Sequence, residues 1–264
     1  MHLSEIFVYP LKSCRGNSLT MAEVEAMGLR HDRRWMLVDE QGSFLTGRAH
    51  PRLVLIEVEM SDEAVVFRAP GMEPLQMAPG RLTDSMPVTV WSSNFAAQVG
   101  DDEADFWFSE FLGLSCRLVY TDQQTTRRVK RAPELPVSFA DGAPLLLIGS
   151  ASLDDLNSRL AKPVSIRNFR TNLLVQTETP YIEDGWRYLR IGEAVFEQTH
   201  RCSRCLFTTV DPDLAEPDPQ RQPLATLNDY RRADDGVCFG VNLVARRLGM
   251  IRLGDTVELL DKLD

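Results

Sequence analysis

The chain has 264 residues, a formal net charge of −9, 44% hydrophobic residues and 25% charged residues, a composition typical of a globular protein with one large or two small domains. The acidic balance argues against nucleic acid or an anionic membrane surface as the main partner, so any phosphate-bearing ligand needs a local basic cluster. No stretch reaches about 18 apolar residues, so no membrane span is predicted.

The cysteine pattern and the N-terminus predict a reducing compartment. The five cysteines are Cys14, Cys116, Cys202, Cys205 and Cys238. An odd number in a chain of this size disfavours a secreted disulfide scaffold. Residues 1–10 lack the basic region and long apolar run of a signal peptide. We therefore expect a cytoplasmic protein.

Short strands are predicted along most of the chain, because runs of β-branched and large apolar residues are bounded by Gly, Pro, Asp and Ser. The predicted strands are residues 54–60, 64–68, 88–91, 117–120, 145–148, 173–175 and 256–260. The first two strands are expected to pair as a hairpin through a turn at residues 61–63.

Helical spacing of apolar residues is confined to fewer segments. It predicts a helix over residues 101–112, which begins with acidic residues. A second helix is predicted over residues 152–160, where Ser152 and Asp155 resemble a capping box. A third is predicted over residues 241–248. The fold class that follows is α+β and mostly β.

Two polar, proline-containing segments interrupt this pattern. Residues 121–136 carry four basic side chains and two prolines, which is typical of a domain boundary or a mobile surface loop. Residues 212–223 contain four prolines and several acidic residues and are predicted to be irregular. We place two domains at residues 1–120 and 121–264.

The segment with the clearest chemistry is HRCSRC, residues 200–205. Cys202 and Cys205 lie three residues apart, and Arg201 and Arg204 precede them. A nearby positive charge lowers the pKa of a thiol and favours the thiolate, which is a nucleophile and a soft metal ligand. The arginine fork also suits phosphate.

Two other interpretations of this segment remain open. A tetrahedral zinc site is one, and its ligands would be His200, Cys202, Cys205 and Cys238. Only one paired motif is present, however, and no His-x-Glu accompanies it as in zinc deaminases. A thioredoxin-like pair should open a helix, whereas the apolar run after Cys205 predicts a strand.

Further basic residues stand in distinctive surroundings. A lysine and a hydroxyl at the end of a strand can hold a phosphate, so Lys12 and Ser13 are candidates, although an ordinary solvated turn is the simpler interpretation. Arg33 and Arg170 each lie close to a large aromatic residue. They are candidates either for a ligand site or for structural ion pairs with acidic residues.

Seven segments together carry a family resemblance. In chain order they are YPLKSCRG (9–16), HDRRWM (31–36), TGRAHPRL (46–53), ASLDDLN (151–157), NFRTN (168–172), RCSRCLFTTVDP (201–212) and FG (239–240). The set resembles the two-part MOSC proteins, in which an N-terminal MOSC β-barrel-like domain of α/β type precedes a MOSC β-barrel domain. Mitochondrial amidoxime reducing components and bacterial YcbX-type proteins belong to this family.

The resemblance implies molybdenum cofactor, a molybdopterin-type group. In the family one cysteine thiolate binds molybdenum, and this catalytic role falls on Cys205. The residues that the resemblance assigns to pterin and phosphate are Lys12, Ser13, Arg33, Arg170, Asn172, Ser203 and Arg204. Cys202 is expected to have a packing or supporting role.

The implied activity is reduction of N-hydroxylated compounds such as hydroxylamines, amidoximes and N-hydroxylated bases. The chain has no clustered cysteines for an iron–sulfur domain, which some bacterial relatives carry after the MOSC domain. We therefore expect a separate electron donor of the flavodoxin, ferredoxin or cytochrome type.

Three alternatives accompany this expectation. The first is a carrier of molybdenum cofactor, and the second is a sulfur-transfer module that uses Cys205. The third is a structural zinc-binding protein. A pyridoxal phosphate role is disfavoured, because it requires a lysine for the Schiff base and only Lys12 lies in a distinctive motif.

Overall fold

The structure, a computed structural model, describes residues 1–61, 64–78, 82, 84–234 and 236–263. It is α+β and mostly β, as predicted. Residues 62 and 63, where the predicted hairpin turn falls, lie outside the described residues.

The first part of the chain contains eleven described strands and one α-helix. These are β1 (His2–Val8), β2 (Asn17–Leu19), β3 (Met21–Glu25), β4 (Gly28–Leu29), β5 (Trp35–Val38), β6 (Glu57–Met60), β7 (Val65–Arg68), β8 (Leu75–Met77), β9 (Ser85–Val90), β10 (Ser93–Val99), α1 (Asp102–Leu112) and β11 (Arg117–Tyr120).

The second part contains ten further described strands and two α-helices. These are β12 (Arg128–Val129), β13 (Ala132–Pro136), β14 (Leu145–Gly149), α2 (Ser150–Ser158), β15 (Leu173–Gln176), β16 (Tyr188–Ile191), β17 (Ala194–Ser203), α3 (Leu224–Tyr230), β18 (Arg232–Ala233), β19 (Gly236–Arg247), β20 (Gly249–Arg252) and β21 (Val257–Leu260).

The largest sheet has the strand order β2-β1-β15-β14-β19-β17-β16-β21. It curls so that its ends meet: the Leu3 amide donates to the Asp255 carbonyl at 2.9 Å, and the Val257 amide donates to the Met1 carbonyl at 3.1 Å. The N-terminal strand β1 thus belongs to the sheet of the second half. Four other strands of the first half, in the order β5-β11-β10-β9, form a separate sheet.

Alternation along the strands gives the largest sheet two faces, and buried apolar residues lie on both of them. Leu145 and Leu147 of β14 pack in the closed core with Leu243 of β19. Successive side chains of a strand point to opposite faces, so Leu146 and Asn242 lie on the other face. Asn242 pairs in register with Leu146 and with His200 of β17. This row positions the site described below.

Most predicted elements are confirmed. Strands occur at or within two or three residues of the predicted bounds, and β6 and β7 pair antiparallel as expected. Helix α1 begins where Asp101 accepts a hydrogen bond from the Ala104 amide at 2.9 Å, and it ends at Gly113 with φ of 70°. The prediction rested on the acidic residues at the start and on Gly113 at the end, and the structure shows that Asp101 is the N-cap and lies outside the helix.

The predicted helix over residues 241–248 is wrong, because residues 236–247 form β19. This strand pairs with β14 on one side and β17 on the other, and residues 238–245 are buried on both faces. A continuous apolar run occurs both in a strand that is buried on two faces and in a buried helix. The spacing of apolar residues in this segment therefore could not tell a strand from a helix.

Three local predictions also need correction. Residues 206–209 form a 3-10 helix and not a strand, and the strand predicted from residue 54 starts at Glu57, after the 3-10 helix Pro51–Leu55. The expected capping box is absent: α2 starts at Ser150, and the Ser152 hydroxyl donates to the Glu183 carboxylate at 2.7 Å.

The segment predicted as a boundary or mobile loop, residues 121–136, is partly ordered by pairing of β12 with β13. Its Arg127 is buried, and the guanidinium donates to the carbonyls of Ser138, Ala140 and Asp141. A buried guanidinium that satisfies three carbonyls fixes the chain on both sides of it.

The buried Glu183 provides a test of the fold by pH. Burial raises its pKa from the ordinary value of 4.5, so the folded state binds more protons than the unfolded state between the two pKa values. The free energy of unfolding should therefore fall as pH rises through that window, by about 1.4 kcal/mol per unit of pKa difference. Urea unfolding from pH 4 to 8 should show this fall in the wild type and not in Glu183→Gln.

The exposed Glu178, on the same loop, supplies the control. Glu178→Gln should keep the wild-type pH dependence. If Glu183→Gln and the wild type gave parallel curves, Glu183 would not carry a raised pKa in the folded protein.

Candidate functional site

A cavity of about 210 Å³ opens beside the row formed by His200, Asn242 and Leu146. The structure brings all eight predicted site residues to its wall: Lys12, Ser13, Arg33, Arg170, Asn172, Ser203, Arg204 and Cys205. They come from four separate places in the sequence, residues 12–13, 33, 170–172 and 203–205. Three of these adjoin β1, β15 and β17 of the largest sheet, and Arg33 precedes β5.

The charge of this wall is opposite to that of the whole chain. Its cationic side chains are Lys12, Arg33, Arg48, Arg170 and Arg204, whereas Asp141 is the one carboxylate among the described residues that line it. The local basic cluster that a phosphate-bearing ligand requires is therefore present. An anionic ligand fits this cavity on charge alone.

Two of these arginines share an aromatic support. The guanidinium carbons of Arg33 and Arg170 lie 4.5 Å and 4.3 Å from the centre of the Tyr9 ring. The Tyr9 hydroxyl donates to the Thr171 carbonyl at 3.0 Å, and burial raises the pKa of Tyr9 to about 12. The ring is thus a neutral platform at pH 7, on which cations are stabilised by the π face.

Arg170 has a donor left over. Burial and the neighbouring Arg33 lower the pKa of Arg170 to about 10, so it stays charged at pH 7. One of its nitrogens, Nη1, donates to the Cys14 carbonyl, while Nη2 is buried and has no partner among the described residues. A buried charged donor without a partner is costly, so Arg170 keeps an unused hydrogen-bonding capacity on the wall of the cavity.

Arg33 and Asn172 mainly connect the two halves of the chain. Arg33 forms an ion pair with the buried Asp32 and donates to the Asn172 side-chain oxygen and the Arg170 carbonyl, both at 3.0 Å. The Asn172 amide nitrogen donates to the Phe7 carbonyl at 3.1 Å. Both side chains therefore position the wall, and Arg33 also contributes its charge.

Lys12 is buried, and its ammonium donates to the Phe139 carbonyl at 2.7 Å and to the Asp141 carboxylate. Burial lowers the pKa of Lys12, and the pairing with Asp141 opposes that shift. Ser13 has a left-handed φ of 69° and accepts a hydrogen bond from the Gly47 amide at 3.0 Å. The solvated turn that was the simpler interpretation of this pair is therefore wrong.

Cys205 stands exposed at the start of the 3-10 helix Leu206–Thr209. Its carbonyl accepts from the Thr208 amide at 3.1 Å and from the Thr208 hydroxyl at 2.9 Å. Asn168 donates to the carbonyls of Thr208 and Val210 at 3.1 and 3.2 Å. This loop is held by its backbone, so the thiol side chain remains available to a ligand.

Cys202 is tied to Arg204 instead. Arg204 Nη1 donates to the Cys202 sulfur at 2.9 Å, and Nη2 donates to the Phe169 carbonyl at 2.6 Å. Cys202 also packs against the cluster that contains Phe169 and Phe239, which confirms the expected packing contact. The Arg204 Nε is a second buried donor without a partner in the described part of the chain.

The four residues of the alternative zinc site do not assemble. Within the described residues no group of three or more His, Cys, Asp or Glu side chains has a metal-binding arrangement. His200 is engaged by the Thr199 hydroxyl at 2.9 Å and the Asn242 amide at 3.0 Å, and Cys238 is buried.

Sequence reasoning missed three contributors to the wall: Arg48, Asp141 and Asn242. Arg48 lies in the TGRAHPRL segment, which was recognised only as part of the family pattern. Asp141 lies four residues before the predicted strand at residues 145–148, a position that signals a site only once the sheet order is known. Asn242 was hidden by the mistaken helix prediction.

The fold and the cavity define a mostly β protein with an arginine-rich site for an anion and an exposed thiol beside it. Family models agree with this description: the MOSC N-terminal beta barrel domain matches residues 1–115 and the MOSC domain matches residues 134–258. The chain therefore belongs to the MOSC family.

Among curated proteins, the chain is 35% identical over 277 residues to mitochondrial amidoxime reducing component 2 of Bos taurus, covering 97% of this chain and 82% of that protein. It is 34% identical to mitochondrial amidoxime-reducing component 1 of Mus musculus, with 98% and 82% covered. It is also 34% identical to molybdenum cofactor sulfurase of Oryza sativa subsp. japonica, covering 92% of this chain and 32% of that protein.

No helix in the described ranges is long and apolar enough to cross a membrane.

Proposed function

We propose that this protein is an oxidoreductase that binds molybdenum cofactor and reduces N-hydroxylated compounds. The observation that carries the proposal is the cavity with five cationic side chains and the exposed Cys205 thiol on its wall. The similarity to amidoxime reducing components over nearly the whole chain supports the same activity.

The residues of the wall fit the chemistry of the cofactor. A pterin dithiolene with a phosphate tail is an anion, and the unpartnered donors of Arg170 and Arg204 offer it charge-assisted hydrogen bonds. Cys205 would supply a thiolate to molybdenum, a soft ligand for a centre surrounded by sulfur. When bound, the cofactor would supply a metal that exchanges two electrons with the substrate.

The remaining predicted residues would hold this arrangement. Ser203 and Ser13 have hydroxyls on the wall, and Lys12 would offer phosphate an ammonium that it already shares with Asp141. Asn172 would keep Arg33 in place through the 3.0 Å hydrogen bond to its guanidinium. The chain's own contribution is thus binding, orientation and charge.

The overall reaction consumes two electrons and two protons: R–NH–OH becomes R–NH2 and water, as the N–O bond breaks and an N–H bond forms. The electrons would come from a separate protein of the flavodoxin, ferredoxin or cytochrome type. Hydroxylamines, amidoximes and N-hydroxylated bases are the substrate class, and a cytoplasmic location remains our prediction.

A cofactor carrier or sulfur-transfer module is the second candidate, which the match to molybdenum cofactor sulfurase favours. In that role Cys205 would bind the cofactor or carry a persulfide and hand it on without turnover of N-hydroxy compounds.

Reduction of benzamidoxime to benzamidine, with chemically reduced viologen as the electron source, separates the two candidates. Protein loaded with molybdenum cofactor should form benzamidine over many turnovers. Loaded protein that forms none but transfers its cofactor to a cofactor-free acceptor enzyme would instead support the carrier.

A further inference from the structure

Asp141 is the one carboxylate among the described residues that line the cavity, and it is held at one oxygen only. Oδ1 accepts from the Lys12 ammonium and from the Trp91 indole nitrogen at 2.9 Å. No described residue donates to Oδ2, and the Asp141 side chain is 62% exposed whereas that of Lys12 is 8% exposed. The carboxylate therefore presents a fixed, unsaturated acceptor to the cavity.

The backbone that carries Asp141 is fixed from two sides. Lys12 donates to the Phe139 carbonyl, and Arg127 donates to the carbonyls of Ser138, Ala140 and Asp141, the last at 3.1 Å. Two buried cations thus bind four residues of chain just before β14. A group held in this way is preorganised, which is what recognition of a small ligand requires.

Trp91 is the second side chain that holds the Asp141 carboxylate. It lies in the turn between β9 and β10 with a left-handed φ of 55°, a conformation that costs energy for a tryptophan. The ring packs on Phe44 at 5.2 Å and under the Arg48 guanidinium at 4.6 Å. It is nevertheless 49% exposed. The two-residue turn accounts for the positive φ, and it leaves the indole nitrogen 2.9 Å from Asp141 Oδ1.

Resting on the proposed function, we propose that Asp141 selects N-hydroxylated substrates in which the carbon bonded to the N–OH nitrogen also carries an N–H group, such as amidoximes and N-hydroxyguanidines. Their products, amidines and guanidines, are planar cations with N–H donors that match a carboxylate. Oδ2 accepts an N–H of the substrate and of the product, while Trp91 is a positioning residue that aims the carboxylate.

Binding of a product and its neutral analogue to cofactor-loaded protein is the direct test. Calorimetry should show that benzamidine binds the wild type at least 10-fold more tightly than it binds Asp141→Asn, while benzamide binds both equally. Asp229→Asn is the charge-matched control, since Asp229 is exposed on α3 and does not line the cavity. Equal benzamidine affinity in wild type and Asp141→Asn would overturn the proposal.

Kinetics separates recognition of substrate from support of the cofactor. In Asp141→Asn, kcat/KM for benzamidoxime should fall about 10- to 100-fold, mostly through KM, while an N,N-dialkylhydroxylamine without an N–H should be reduced as before. Trp91→Phe, which keeps the ring but not the donor, should show a smaller loss of the same kind.

Equal losses for both substrates, or a lower molybdenum content in Asp141→Asn, would mean that Asp141 acts on the cofactor through Lys12, which would overturn the proposal. Loaded wild type that reduces neither substrate would contradict the reductase function itself. The benzamidine measurement does not depend on turnover, so the two failures are distinguishable.

Discussion

Replacing Cys205 by Ala should abolish reduction of N-hydroxylated substrates and remove molybdenum from the protein. Loss of a residue that only supports a metal ligand typically costs 10- to 100-fold in metal affinity or activity, so loss of the ligand itself should cost more than about 100-fold. Cys205 is exposed and its loop is fixed by backbone hydrogen bonds. The free energy of unfolding should therefore change by less than about 0.5 kcal/mol.

Cys202→Ala is the matched control for this experiment. Cys202 lies in the same motif but accepts a hydrogen bond from Arg204 and packs on the hydrophobic cluster. It should retain molybdenum and most of its activity, with a modest loss of stability. Activity retained in Cys205→Ala, or lost equally in both variants, would contradict the assignment of Cys205.

The second large effect is expected from Arg170→Met, which removes charge and keeps most of the side-chain length. A hydrogen bond to a charged group contributes about 1.5–3 kcal/mol, so retention of an anionic pterin should weaken roughly 10- to 100-fold. Molybdenum and pterin retained after dialysis would be measured against the wild type. The Tyr9 platform should survive, since Arg33 still lies on it.

Arg167→Met supplies the comparison. Arg167 is three residues earlier in the chain and pairs with the exposed Asp213, and it is not part of the cavity wall. Its replacement should leave cofactor content unchanged. Equal retention in Arg170→Met and Arg167→Met would show that the unpartnered nitrogen of Arg170 does not face the cofactor.

The elements that the sequence predicted well are those whose signals are local. Helix α1 was predictable because its cap, its apolar spacing and its terminal glycine all lie within residues 101–113. Strand β19 was not, because its apolar run reflects burial between β14 and β17, which no window of sequence reveals. The same holds for Ser152, whose partner Glu183 is 31 residues away.

In the candidate site, too, local sequence signals were predictable and contacts between distant parts of the chain were not. Cys205 stood out by its motif, and Arg33 and Arg170 by their segments, but their shared support on Tyr9 depends on three distant parts of the chain meeting. Asp141 gained meaning only from the contacts of Lys12 and Trp91. The roles assigned to the eight residues and the boundary between residues 120 and 121 stay predictions.

The central claim is that this cavity holds molybdenum cofactor through Cys205. The measurement that tests it most directly is metal analysis with pterin detection on protein produced in a host that makes the cofactor, wild type beside Cys205→Ala. The account predicts close to one molybdenum and one pterin per chain in the wild type, and loss of molybdenum in the variant. Zinc without pterin, or equal molybdenum in both proteins, would contradict it.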